Sequence, residues 1–193
     1  MVILNILIMK FAEKFLNFFG WKLINGIGEI PPKAIMIGAG HTSNYDFLWS
    51  SVAYKALGVK AHFLIKKEAF FFPFAGLLKK AGGIPVDRKR KNNIVQDVVN
   101  EFNNREKFIL SIAPEGTRKP VKTWKEGYHR IANAANVPIL IGVFNYKTKE
   151  VGIMREYHLQ GDAKYDTLEI MKLYKDVGAK YPENFYLPPE AFK

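Results

Sequence analysis

Apolar and polar positions along this chain switch between two periods. Short apolar runs at 34–37, 62–65, 83–86, 107–113 and 138–144 read as strands, with 151–154 as a pairing partner for the last. Between them, apolar residues recur at helical spacing over 47–57, 68–80, 92–102, 125–135 and 166–179. Gly58 is placed to stop the first of these, and Pro73 splits or kinks the second. In the third, Ile94, Val95, Val98, Val99 and Phe102 fall on one face. Strands that alternate with helices predict an α/β domain with a mostly parallel central sheet flanked by helices. The tail from Pro182 reads as irregular.

The N-terminus has a different pattern. The apolar stretch from Met1 to Met9 is broken only by Asn5. It is shorter than the roughly 20 residues a bilayer span needs, and no basic region or small-residue cleavage site marks it as a signal peptide. Beyond it, Lys10, Glu13, Lys14 and Asn17 break the apolar run, while Phe11, Phe15, Phe18, Phe19 and Trp21 continue an apolar face. That combination predicts an amphipathic helix lying in a membrane interface, with packing against the core as the alternative.

Charge sharpens this picture. The 193 residues carry a net charge of +11, and the excess is local. Residues 60–91 hold nine basic and two acidic residues, and residues 118–130 hold five and one. Localised positive charge predicts an anionic partner: phosphate, nucleic acid or an anionic lipid surface. The absence of cysteine excludes disulfide frameworks, thiolate metal sites and cysteine nucleophiles. A hydrophobic fraction of 48% is enough for a packed core and excludes disorder.

Three polar clusters come directly after predicted strands, where open α/β sheets gather ligands. They are His41 to Asp46, Asp87 with Arg88, and Glu115 to Arg118. Asp46 falls in the first turn of a helix and can lean back onto the His41 imidazole, which would make the histidine a general base. Ser43-x-x-Asp46 is equally a capping-box spacing, and the spacing does not separate the two. Arg88 and Arg118 are placed to grip an anion, Gly116 permits a sharp turn or close backbone approach, and Glu115 is placed to orient the arginines. No nucleophile elbow, phosphate-binding loop, dinucleotide fingerprint or metal-ligand spacing of His62, His129 and His158 is present.

These residues resemble the lysophospholipid/glycerophospholipid acyltransferases of the 1-acylglycerol-3-phosphate acyltransferase type. His41-x4-Asp46 resembles that family's catalytic block. Gly83-Ile84-Pro85-Val86-Asp87-Arg88 is similar to its second block and Glu115-Gly116-Thr117-Arg118 is identical to its third, both assigned to acceptor binding. Val137-Pro138-Ile139-Leu140 is similar to the fourth, which places Pro138 on the acyl side. Lys66-Lys67-Glu68, Pro73-x-x-Gly76 and Lys125-Glu126-Gly127 also look like the family, and the blocks run in order from Ile35 to Phe144. Gly40 stands where the family often has Asn.

The resemblance implies acyl transfer from a thioester, acyl-CoA or acyl-carrier-protein, to a lysophospholipid hydroxyl. His41 would be the base, Asp46 would orient it, and Arg88, Glu115, Gly116, Thr117 and Arg118 would bind the acceptor. Neither a metal nor a resident cofactor is implied, and the donor is a co-substrate. Residues 1–28 would form the interfacial helical segment and residues 29–193 the acyltransferase domain. The expected partners are acceptor, donor and an anionic membrane surface, with the protein peripheral on the cytoplasmic inner face and no nucleic acid involved. The alternatives are another acceptor, such as a lyso-aminolipid, or a non-enzymatic basic protein that binds membrane or nucleic acid.

Overall fold

Ala34, Ile35, Met36 and Ile37 are consecutive and all wholly buried. A strand covered on both faces tolerates only apolar side chains, and this one lies at the centre of its sheet. In the computed structural model, which describes residues 2–87 and 94–193, the strands are β1 (Lys22–Asn25), β2 (Lys33–Gly38), β3 (Ala61–Lys66), β4 (Gly83–Val86), β5 (Phe108–Ile112), β6 (Ile139–Asn145) and β7 (Glu150–Tyr157). They form one sheet in the order β1-β7-β6-β2-β5-β3-β4. Strands β2 to β6 pair in parallel, and β7 turns back antiparallel to β6. The mostly parallel sheet expected from the sequence is therefore present.

The helices are α1 (Val2–Phe18), α2 (Asn44–Ala56), α3 (Phe74–Lys80), α4 (Ile94–Asn104), α5 (Gly127–Ala135) and α6 (Ala163–Lys172). Alternation along β2 sends Ile35 and Ile37 to one face, into a core shared with α4, α5 and α6. Ala34 and Met36 point to the other face, beside Tyr54 of α2. Helix α1 lies outside α2, with Ala12 and Leu16 buried against Ala53, Ala56 and Trp21. The apolar face expected for α4 is observed: Val98, Val99 and Phe102 are buried, and Ile94 and Val95 pack against them.

Three elements differ from the sequence expectation. The N-terminal helix ends at Phe18 rather than running toward residue 28, and Lys22–Asn25 joins the sheet as an edge strand beside β7. The 68–80 helix is split: a 3-10 turn covers Lys67–Ala69, and α3 starts after Pro73. The last helix stops at Lys172, because Tyr174 turns inward and its buried hydroxyl lies 2.9 and 2.8 Å from the carbonyls of Ile37 and Gly142. Among the described residues, no helix is long and apolar enough to cross a membrane.

Candidate active site

Parallel strands deliver their outgoing loops to one edge, so the ends of β6, β2 and β5, neighbours in the sheet, meet there. Gly40 lies just beyond β2 with φ +78, a left-handed conformation that glycine adopts freely and that Asn tolerates better than most residues. That turn carries the chain from strand to helix and presents His41 at the edge. Ser43 then caps α2, accepting from the Tyr45 amide, and Asp46 completes a capping box.

The Asp46 carboxylate is 1% exposed and fully engaged. Its Oδ2 accepts the amides of Thr42 and Ser43 at 2.8 and 2.7 Å. The same oxygen lies 3.2 Å from His41 Nδ1. Its Oδ1 accepts the Tyr146 hydroxyl at 2.7 Å. The His41 ring is partly exposed, and its Nε2 bonds none of the described residues. A carboxylate on Nδ1 fixes the tautomer and leaves Nε2 as a base toward a substrate. Tyr146 is the first residue after β6. Burial, then its bond to Asp46, pushes its phenol well above the ordinary value, so it keeps its proton and donates.

Glu115 reaches the same turn from β5. Its Oε1 accepts the amides of Gly40 at 2.7 Å and His41 at 3.3 Å. Burial pushes its carboxyl up, and the amide bonds and nearby His41 offset this only in part. Its other oxygen is buried and unpartnered among the described residues. Gly116, with φ +63, forms the next turn in a conformation that L side chains rarely adopt, and the Lys125 side chain reaches over it. Thr117 Oγ1 accepts the Lys119 amide at 3.3 Å. Arg118 is exposed and donates to the Asn44 side chain, which sets its guanidinium at the first turn of α2, the helix that follows His41.

The chain past α6 closes over this edge. The Tyr181 amide donates to Thr42 Oγ1 at 3.2 Å, and Lys180 Nζ sits 3.5 Å above the Tyr45 ring. A family model described as Acyltransferase matches residues 24–141, which contain His41, Asp46 and the Glu115–Arg118 turn. The chain belongs to the acyltransferase family. No curated protein matches this acyltransferase. Among solved structures, the 1-acyl-sn-glycerophosphate (LPA) acyltransferase PlsC from Thermotoga maritima resembles it over 87% of this chain and 78% of that one, with a TM-score of 0.57 and 18% identity. At that identity the likeness establishes the fold.

In this acyltransferase, His41, Asp46, Glu115, Gly116, Thr117 and Arg118 stand together. Arg88 lies outside the described residues. Pro138 stands apart: its carbonyl bonds the Ile35 amide at the opposite end of β2. At about 3.3 Å per residue, that is roughly 20 Å along the strand from His41. Glu115 is buried under the turn, which makes it a brace for the backbone of His41 rather than a surface group beside the arginines. Sequence reasoning missed Tyr146. The only signal for it was position, since it comes directly after a parallel strand at the edge where His41 and Glu115 also emerge.

Proposed function

We propose that this acyltransferase moves a fatty acyl group from a thioester, acyl-CoA or acyl-carrier-protein, to the hydroxyl of a lysophospholipid, with 1-acylglycerol-3-phosphate the first acceptor to test. The supporting observation is the 3.2 Å approach of Asp46 Oδ2 to His41 Nδ1 at the open edge of the sheet. His41 Nε2 takes the proton of the acceptor hydroxyl as its oxygen attacks the thioester carbonyl. The imidazolium so formed is stabilised by Asp46. Collapse of the tetrahedral intermediate breaks the C–S bond, and the departing thiolate recovers the proton from Nε2. Arg118, fixed beside α2, pairs with the acceptor phosphate, a task a planar guanidinium performs bidentately. Arg88 shares that role on the family resemblance. Such positioning contributes several kcal/mol of barrier lowering. The structurally similar Thermotoga maritima protein is an acyltransferase of 1-acyl-sn-glycerophosphate, which supports this choice of acceptor.

Acceptors with acyl chains reside in bilayers, and the surface suits that location. Among the described side chains of α1, Ala12 and Leu16 alone are deeply buried, while Ile3, Leu4, Leu7, Phe11 and Phe18 are exposed. Phe71, Phe72, Phe74 and Leu77, beyond the end of β3, are exposed too, with Lys66, Lys67, Lys79 and Lys80 around them. Apolar side chains ringed by lysine fit an anionic bilayer surface, here the inner face of the cytoplasmic membrane, where both donors are found.

The test is acyl transfer by purified protein to lysophosphatidic acid, with acyl-CoA and acyl-carrier-protein in parallel and His41→Ala as control. Product from wild type and none from the variant is expected. Full activity in His41→Ala would overturn the mechanism. No product with either donor would reject this acceptor.

A further inference from the structure

Among the described residues, Asp46 Oδ2 has three neighbours, whereas Oδ1 has the Tyr146 hydroxyl alone. A carboxylate anchored through one oxygen can still turn about its own axis, and turning would carry the Oδ2 lone pair away from His41 Nδ1. The bond at Oδ1 fixes the plane. It also satisfies an acceptor that is sealed from water, where an unpaired polar oxygen is costly.

Tyr146 is set in place independently of Asp46. Its amide donates to the Gly178 carbonyl at 2.8 Å. Its ring meets the buried Trp21 edge-on, with centroids 5.1 Å apart and an interplanar angle of 81°. The hairpin that carries it is organised by Asn145, whose side-chain oxygen accepts the amides of Lys147, Thr148 and Gly178 at 3.1, 3.3 and 3.0 Å. The phenol is thus preorganised, delivered by the third of the three strands that meet at the site.

We propose that Tyr146 is a positioning residue of the acyl-transfer site, holding the Asp46 carboxylate aligned on His41. This rests on the reading of His41 as the base. Tyr146 acts through Asp46 and touches neither acceptor nor donor in that scheme. Its hydroxyl therefore governs the rate of the chemical step and leaves substrate affinity alone.

The experiment compares wild type, Tyr146→Phe, Tyr146→Leu and His41→Ala by steady-state kinetics with lysophosphatidic acid and the active donor, with thermal melts on all four. Phe keeps the ring against Trp21 and removes only the hydroxyl, and Leu removes both. A hydrogen bond to a buried charge implies a kcat loss of roughly tenfold or more in both Tyr146 variants, with KM for the acceptor within about twofold of wild type. Wild-type kcat in Tyr146→Phe overturns the assignment even if Tyr146→Leu is impaired, because packing would then explain the residue. So does a KM that rises in step with the loss of kcat. His41→Ala separates the two layers: an active His41→Ala removes the base itself, whereas an inactive one beside a fully active Tyr146→Phe removes only the role of Tyr146.

Discussion

Asp46 Oδ2 serves His41 and the helix that carries it at once: it lies 3.2 Å from His41 Nδ1 and accepts the amides of Thr42 and Ser43. Capping box and imidazole partner are thus two uses of one oxygen. Substitution should separate them. Asp46→Asn keeps an oxygen for the two amides and loses the charge. Its kcat should fall by about 100- to 10,000-fold, the range for a positioned general base, with little change in Tm. Asp46→Ala should lose the activity and also about 1 kcal/mol of stability through the lost cap. Steady-state kinetics with thermal melts make the comparison, and an Asp46→Asn enzyme with half the wild-type kcat would refute the assignment.

Glu115 is predicted to act as a brace. Glu115→Gln retains an oxygen for the Gly40 and His41 amides and should keep most of the activity. Glu115→Ala should lower kcat by about tenfold, as expected when a reacting group is mispositioned, without raising KM for the acceptor. A raised KM would return Glu115 to acceptor binding. Its carboxyl is raised, first by burial, so the folded state binds the proton more tightly than the unfolded chain. The stability this contributes is present below the ordinary carboxylate range and is lost as pH rises through the raised value. Urea midpoints of wild type relative to Glu115→Gln should therefore fall as pH rises from about 4, the ordinary glutamate value. A difference that stays flat across that range counts against the raised carboxyl.

The strands that build the site were legible because parallel, doubly covered strands leave continuous apolar runs, as in β2, β5 and β6. The polar turns after β2 and β5 were legible for the same reason, since they interrupt the run abruptly. Strand β1 was not, because Lys-Leu-Ile-Asn at a sheet edge has too few apolar residues to stand out from the amphipathic helix pattern just before it. Tyr146 was illegible for another reason: its partner lies 100 residues away, and one tyrosine in a hairpin has no periodicity. The role of Glu115 turned on burial, which spacing does not report.

A second histidine–aspartate pair holds the opposite end of the sheet. His129 Nε2 lies 2.9 Å from Oδ2 of the wholly buried Asp166, and Tyr157 donates to Asp166 Oδ1 at 2.7 Å. The amides of Gln160 and Gly161 complete the set at 3.0 and 3.3 Å. This joins α5, α6 and the end of β7. Burial alone would raise the Asp166 carboxyl, but the Tyr157 hydroxyl, the Gln160 amide, His129 and the Gly161 amide together hold it below the ordinary value. For a lowered carboxyl, stability is present above the unfolded value of about 3.9 and is lost as pH falls through the folded one. Asp166→Asn should cost about 3 kcal/mol at neutral pH, with the gap from wild type closing under acid. Urea unfolding at pH 7 and pH 3 tests this, and a gap equal at both values would contradict it.

Membrane docking should depend on two separate apolar elements. Phe11 on α1 is 72% exposed and Phe72 beyond β3 is 93% exposed. Burying such a side chain is worth roughly 1.5–3 kcal/mol, so replacing either by Asn should weaken partitioning to anionic vesicles by about tenfold or more. Neither side chain belongs to the hydrogen-bonded cluster around His41 and Asp46, so turnover of a short-chain, water-soluble acceptor should be unchanged. The lysines around Phe72 make the binding salt-sensitive, and it should weaken between about 0.05 and 0.5 M salt as charges are screened. Flotation with phosphatidylglycerol-containing vesicles provides the measurement. Phe72→Asn floating like wild type while Phe11→Asn stays behind would confine docking to α1, and both floating normally would remove the membrane-facing surface altogether.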